Sequence, residues 1–212
     1  MLTDRISSLV IDELCNRAVD QQIVVACFYC DFQSQKTQTP ENVVGALVKQ
    51  IICALGAIPT EIERAFRESR GHVGGRGLRV NEVLELLKAC LVPLDRAFIC
   101  IDALDELQVN KVPILLGSLH DVSRSCPGVR FLFTGRSHIE AEIRIYFPGA
   151  AQFLEITPTR EDIMRYVEKK LDDDPNRKAM NSSLRAEIMN RVAETISDVY
   201  AVPIFSSGCR FR

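Results

Sequence analysis

A charge excess is the first thing this sequence lacks. Its 212 residues carry 26 Lys+Arg against 28 Asp+Glu, a formal charge of −2, and no basic run occurs. Bulk attraction to nucleic acid or to anionic lipid is therefore excluded as its way of finding a partner. Long apolar runs are missing too. The longest, Ile23 to Cys30, falls far short of the ~20 residues that cross a bilayer. Asp4, Asp12 and Glu13 interrupt the N-terminal stretch where a secretory leader needs an apolar core. No internal repeat is visible. These absences predict an intracellular, cytoplasmic protein with no membrane and no nucleic acid among its partners.

What is present is the composition of an ordinary globular domain, 47% hydrophobic and 25% charged. A chain this long buries roughly 70% of its extended surface, so its core needs no staples. The eight cysteines mostly sit in apolar segments such as Ile51-Ile52-Cys53 and Ile99-Cys100-Ile101, where a reduced thiol behaves as a small hydrophobe. Cys27-Phe28-Tyr29-Cys30 puts its two thiols on opposite faces of a strand, and no second pair completes a zinc site. His72, His120 and His138 are scattered without a catalytic pattern.

Apolar periodicity divides the chain into alternating helices and strands. Residues 5 to 20 read as a helix on Ile6, Leu9, Val10, Leu14 and Ala18. Ile23 to Tyr29 reads as a strand buried on both faces, as in parallel sheets covered by helices. Thr39 and Pro40 open a helix as N-cap and first residue, with its stripe on Val43, Val44, Leu47, Val48, Ile51, Ile52 and Leu55. Thr60-x-x-Glu63 is a capping box, and Gly71 to Arg79 a glycine-rich loop. A helix on Val83, Leu84, Leu87 and Leu91 precedes a strand over Phe98–Ile101. Next come a helix on Ile114, Leu115, Leu119 and Val122, a strand over Val129–Phe133, a short helix over Ile139–Tyr146 and a strand over Phe153–Ile156. This βαβ alternation predicts an α/β fold on a parallel sheet. From Thr159-x-x-Asp162 onward two helices follow without strands, and Pro203–Arg212 shows no period. The predicted domains are a core over 1–157, a helical segment over 158–202 and an irregular tail over 203–212.

The chemistry concentrates at two strand ends. Phe98-Ile99-Cys100-Ile101-Asp102-Ala103-Leu104-Asp105-Glu106 runs an apolar strand into one carboxylate and, three and four residues on, two more. A parallel strand delivers Asp102 to the carboxyl edge of the sheet, where ligands of open α/β folds bind. Mg²⁺ beside nucleotide phosphates takes carboxylate and water oxygens, and Asp102 is placed to hold one such water, as a Walker B residue does. Asp105 and Glu106 are candidates to orient or deprotonate an attacking water. The strand Val129-Arg130-Phe131-Leu132-Phe133 likewise ends in Thr134-Gly135-Arg136, and a guanidinium there matches phosphate through its planar fork.

These two strand ends, with Val25-Ala26-Cys27-Phe28-Tyr29 and Gly74-Gly75-Arg76-Gly77, resemble the NACHT-type signalling NTPases of the STAND class. Within that class they are most similar to the nephrocystin-like N-terminal module of large fungal ankyrin- and WD-repeat proteins. The resemblance spans roughly residues 5 to 200. It implies a P-loop NTPase-like three-layer parallel sheet with strand order 5-1-4-3-2, followed by a small helical lid. It also implies ATP or GTP with Mg²⁺, and oligomerisation switched by nucleotide. Carried across, Asp102 is the metal residue, Asp105 and Glu106 are the catalytic acids, and Thr134 with Arg136 form the nucleotide-sensing position.

The family's G-x-x-x-x-G-K-[ST] loop does not occur in the 212 residues. Gly71-His72-Val73-Gly74-Gly75-Arg76-Gly77 lacks the Gly-Lys-Ser/Thr and follows a helix instead of a strand. Without stacked N–H groups and a lysine the phosphates lose their cradle. The sheet is then expected to lack its first, central strand, with the edges of Val129–Phe133 and Phe153–Ile156 open or mispaired. Either the chain is a fragment truncated ahead of its phosphate loop, or it is nucleotide-incompetent and carries no cofactor. Three functions follow: the core of a NACHT-type NTPase that takes nucleotide once the loop is restored; a non-catalytic interaction module of the same fold, binding protein partners or itself; and an enzyme of unrelated α/β class.

Overall fold

A computed structural model describes residues 2–18, 23–56, 58, 60, 62–64, 67, 78–149, 151–156, 159–173, 181–195 and 202–207. Most of the predicted glycine-rich loop, at 71–77, lies outside the described residues. So do the predicted 157/158 boundary and the chain beyond residue 207. The chain divides into two compact units, Met1–Leu154 with Pro203–Arg212, and Glu155–Val202.

The first unit is α/β, as the periodicity predicts. Helix α1 (Leu2–Ala18) leads to strand β1 (Ile23–Tyr29), a 3₁₀ turn (Phe32–Ser34) and α2 (Pro40–Leu55). Helix α3 (Val80–Leu91), β2 (Arg96–Asp102), a second 3₁₀ turn (Leu104–Glu106), α4 (Val112–Ser125), β3 (Val129–Thr134), α5 (Ile139–Tyr146) and β4 (Ala151–Ile156) follow. Strands β1, β2 and β3 pair in parallel, in register from Ile23↔Arg96 to Tyr29↔Asp102 and from Ala97↔Val129 to Ile101↔Phe133.

Local chemistry explains the helices. The Thr39 side chain caps α2 by accepting from the Asn42 N–H at 3.3 Å, and Pro40 supplies the fixed first turn. Gly56 ends the helix at φ 67°, where a side chain would be strained. Val43, Val44, Leu47, Val48 and Ile51 of α2 are buried with Val83, Leu84, Leu87, Cys90 and Leu91 of α3. On the sheet, Phe131 and Phe133 stack at 5.7 Å, and Phe147 tilts against both. Gly128 is required where β3 begins, since a Cβ there would lie 2.5 Å from the Asp95 carbonyl oxygen.

Three expectations change. Among the described side chains of α1 the buried ones are Ser7 and Ile11, while Leu9 is 68% exposed and the predicted Ile6 lies outside the described side chains; a serine holds the face because a carboxylate waits opposite it. Ile114 of α4 and Cys53 of α2 are likewise exposed, one position off the stripes that pack. The largest change concerns the tail. Residues Val202–Ser207 form β5, and the sheet order is β1-β2-β3-β5-β4. Strand β5 runs antiparallel to β3, with Leu132↔Ser206, Phe133↔Phe205 and Thr134↔Ile204 in register. The flank of β3 is thus neither open nor irregularly covered. A short segment with a proline and no alternation carries no strand signal of its own; the unpaired backbone of a neighbouring strand makes it one.

In the second unit, helix α6 (Arg160–Asp172) opens on a capping box, Thr159 accepting from the Asp162 N–H at 3.2 Å while Asp162 accepts from the Thr159 N–H at 3.0 Å. Helix α7 (Ser182–Thr195) is tied to it by an Arg185–Asp172 ion pair at 2.7 Å. The predicted Glu161–Arg165 pair forms at 2.8 Å on an exposed face.

Leu47→Ala is expected to cost about 2–5 kcal/mol by chemical denaturation, because the surrounding helix–sheet packing cannot collapse into the void. Val109→Ala, at an exposed position, is expected to stay within about 0.5 kcal/mol. Burial pushes the Cys100 thiol up from 9.0 to about 12. The unfolded chain therefore loses that proton first as pH rises, and stability falls from pH 9 upward. A melting-temperature series from pH 8 to 11 should show this decline, weakened in Cys100→Ala.

Candidate functional site

The carboxyl ends of β2 and β3 meet the first turns of α1 on one buried carboxylate. Asp102 is 3% exposed. Its Oδ1 accepts from the hydroxyl of Thr134, at the end of β3, at 2.5 Å, and also from the hydroxyl of Ser7 in α1. Thr134 Oγ1 in turn accepts from the Ala103 N–H at 2.9 Å. Parallel register puts Asp102 and Thr134 side by side, because β2 and β3 leave the sheet at the same edge. Ala103 sits in the left-handed region at φ 52°, a strained backbone for a residue with a Cβ. It turns the chain sharply away from Asp102 into the Leu104–Glu106 turn, and the Thr134 hydroxyl holds it there.

Asp105 faces the next loop. Its Oδ1 accepts from the Arg136 N–H at 3.1 Å, and its Oδ2 lies 3.4 Å from Arg136 Nε. The Asp105 side chain is 6% exposed, whereas that of Arg136 is 53% exposed. Gly135 permits this approach, since a Cβ there would stand 3.0 Å from Asp105 Oδ1 and from the Ile139 side chain. Glu106 reaches the other way, its Oε2 accepting from the Phe32 N–H at 3.0 Å, and its carbonyl oxygen accepts from Gln35 Nε2 at 2.7 Å. Lys111 completes the join by donating to the Gln35 and Gln38 carbonyl oxygens at 2.6 and 3.2 Å. Asp31 stiffens the same loop from within, accepting from the Gln33 N–H at 3.0 Å and the Ser34 hydroxyl at 2.8 Å.

All five residues singled out from the sequence therefore lie at one edge of the sheet, in two linked sets. Asp102 and Thr134 form one, Asp105 and Arg136 the other, while Glu106 bonds the β1–α2 loop. Sequence reasoning passes over Ser7, which carries no motif; its place one turn before buried Ile11 is the available signal. The carboxylates also mark their surroundings. Burial raises the Cys30 thiol well above its ordinary range, and the charges of Asp102, Glu106 and Asp105 add to the effect. A small cavity of about 140 Å³ adjoins Asp105, between His138, Ile139 and Glu142, below the roughly 300 Å³ at which small-molecule pockets begin. Among the described residues, no His, Cys, Asp and Glu group with metal-binding geometry occurs, and no helix is long and apolar enough to cross a membrane.

Residues 5–136 match the family described as nephrocystin 3, N-terminal, more than half of the chain. The chain belongs to that family. Ser7, Asp102, Asp105, Glu106, Thr134 and Arg136 all lie inside the match, and β4, the helical unit and β5 lie beyond it. No curated protein and no solved structure matches the sequence. For this nephrocystin 3 N-terminal module, the site is thus inside the part that defines the family.

Replacing Thr134 with Val leaves the Ala103 N–H without its acceptor and Asp102 with one hydroxyl fewer, a loss expected to be about 1–3 kcal/mol. Ser7→Ala removes the other donor. Because both serve one oxygen, the double variant should depart from additivity by about 0.5 kcal/mol or more in a double-mutant cycle. Additive losses would show that the two bonds act independently.

Proposed function

We propose that this chain is the core of a NACHT-type signalling NTPase of P-loop-like fold, whose carboxyl sheet edge around Asp102 is the magnesium and nucleotide side. The observation that carries the reading is the buried Asp102 carboxylate at the end of the middle parallel strand, bonded by a hydroxyl from the end of the next. A magnesium ion would find oxygen donors there: Asp102 uses Oδ1 for both hydroxyl bonds, and Oδ2 is the oxygen outside that pair. The metal, when bound with ATP or GTP, neutralises phosphate charge. Arg136 is the phosphate-facing cation, exposed and lightly held by Asp105. Glu106 is the acid nearest the role of orienting water, and it must leave the Phe32 N–H to do so.

The residues for the phosphates fit less well. Nothing in the 212 residues supplies the Gly-Lys-Ser/Thr cradle, so these residues alone are expected to turn over no nucleotide. A second reading, a non-catalytic interaction module of the same fold that binds protein partners or itself, is favoured by a specific observation. Asp105 and Glu106 are both spent on bonds between loops, which is how a scaffold uses charged residues.

The first measurement is common to both readings, and the second separates them. Hydrolysis of ATP and GTP by this chain should not exceed that of an Asp102→Ala control. With a strand and G-x-x-x-x-G-K-[ST] loop grafted ahead of Leu2, equilibrium binding should become Mg²⁺-dependent. Asp102→Ala should then lose that dependence, and Arg136→Ala should lose the preference for triphosphate over diphosphate. Glu106→Gln should keep binding while slowing turnover. Binding whose metal dependence Asp102→Ala leaves unchanged would leave the scaffold reading standing.

A further inference from the structure

Strand β5 differs from the other paired strands in three ways. It is the strand that runs antiparallel to β3 beside a parallel β1-β2-β3 set. Its ladder with β3 covers only Leu132, Phe133 and Thr134, whereas β1 pairs with β2 along all of Ile23–Tyr29. It also returns to the sheet from beyond a separate compact unit, Glu155–Val202, and carries Pro203, which has no N–H to give to a ladder. Withdrawing it would break the three-residue ladder to β3 and the pairing with β4, and leave the β1-β2-β3 pairing untouched. Yet its place lies between β3 and β4, and an empty slot there would expose backbone N–H and C=O groups inside the sheet.

We infer that β5 is exchanged between two copies of this chain, the β5 of each copy pairing with Leu132–Thr134 of the other in a reciprocal dimer. An exchanged strand makes the same bonds to β3 as a strand folded back within one chain. The choice between the two states then depends on the linker and on protein concentration, not on any new contact. The partner's strand would lie beside the candidate site, because Thr134, which faces Ile204 in the ladder, also donates its hydroxyl to Asp102. This goes beyond the nucleotide reading and stands or falls separately from it.

The test uses the full chain. Light scattering after size exclusion should show a dimer whose fraction rises with concentration, and Phe205→Pro, which blocks the ladder, should lose it. To locate the contact, isotopically heavy Leu132→Cys chain is mixed with light Ser206→Cys chain, unfolded, refolded together and mildly oxidised. Directly opposed antiparallel residues have Cα separations of about 4.5–5.5 Å, within disulfide reach. Mass spectrometry should find a heavy–light 132–206 disulfide that increases with concentration. A chain monomeric at every concentration overturns the proposal. So does a dimer or larger aggregate without the heavy–light 132–206 link. A Leu132→Cys/Ser206→Cys double variant that links only within single chains overturns it as well.

Discussion

The Asp102 carboxylate is buried where α1, β2 and β3 converge, and the arrangement of the surrounding edge follows from keeping that charge satisfied. An ionised group cut off from water is costly unless hydrogen bonds replace its hydration. Here the replacements come from Ser7 on a helix and Thr134 on a neighbouring strand. Each hydroxyl fixes the element that carries it. The first turns of α1 are thereby seated on the sheet with a serine facing inward, and β3 is held level with β2 so that its last residue reaches the acid. The left-handed Ala103 is a consequence of the same knot: the chain must turn at once beyond Asp102, and the Thr134 hydroxyl accepts the Ala103 N–H that the turn exposes.

Beside this knot, three charged side chains join loops across the same edge. Asp105 braces the turn after β3, Glu106 braces the loop after β1, and Lys111 ties that loop's carbonyls to the start of α4. Three loops from adjacent parallel strands become one ledge above the sheet edge. A ledge of this kind holds polar groups at fixed positions, which is what either proposed reading would require. The two functional readings share this geometry. They part on whether Arg136 and Glu106 are released from their bonds when a ligand arrives.

The sheet shows a different constraint, that a strand slot inside it does not stay empty. The parallel strands account for their own ladders from strong apolar patterns, Ile23–Tyr29, Phe98–Ile101 and Val129–Phe133. The place beside β3 is taken not by β4, which its apolar run also marks, but by Val202–Ser207, running in the opposite direction. Backbone hydrogen bonding, which is indifferent to side-chain pattern, recruits a segment that alternation alone would leave as coil. The same indifference would let a second copy provide the strand, as proposed.

Much of this protein was legible in the residues themselves. A period of 3.6 marks the helices α2 and α3, and short apolar runs mark the strands β1 to β3, because each buries one face or both against a neighbour. Thr39-Pro40 and Thr159-x-x-Asp162 announce helix starts through bonds made within a few residues. An apolar strand running into Asp102, and another into Thr134 and Arg136, place polar groups at a sheet edge whatever the rest of the chain does. These signals are local, so sequence alone determined them. What tertiary structure decided is which groups face one another across the chain: Ser7 on Asp102 over ninety-five positions, Asp105 on Arg136, Glu106 on Phe32, and β5 on β3. None of these partners leaves a periodic trace, since a single hydroxyl or N–H suffices for the bond and its position is set only once the helices and sheet have packed.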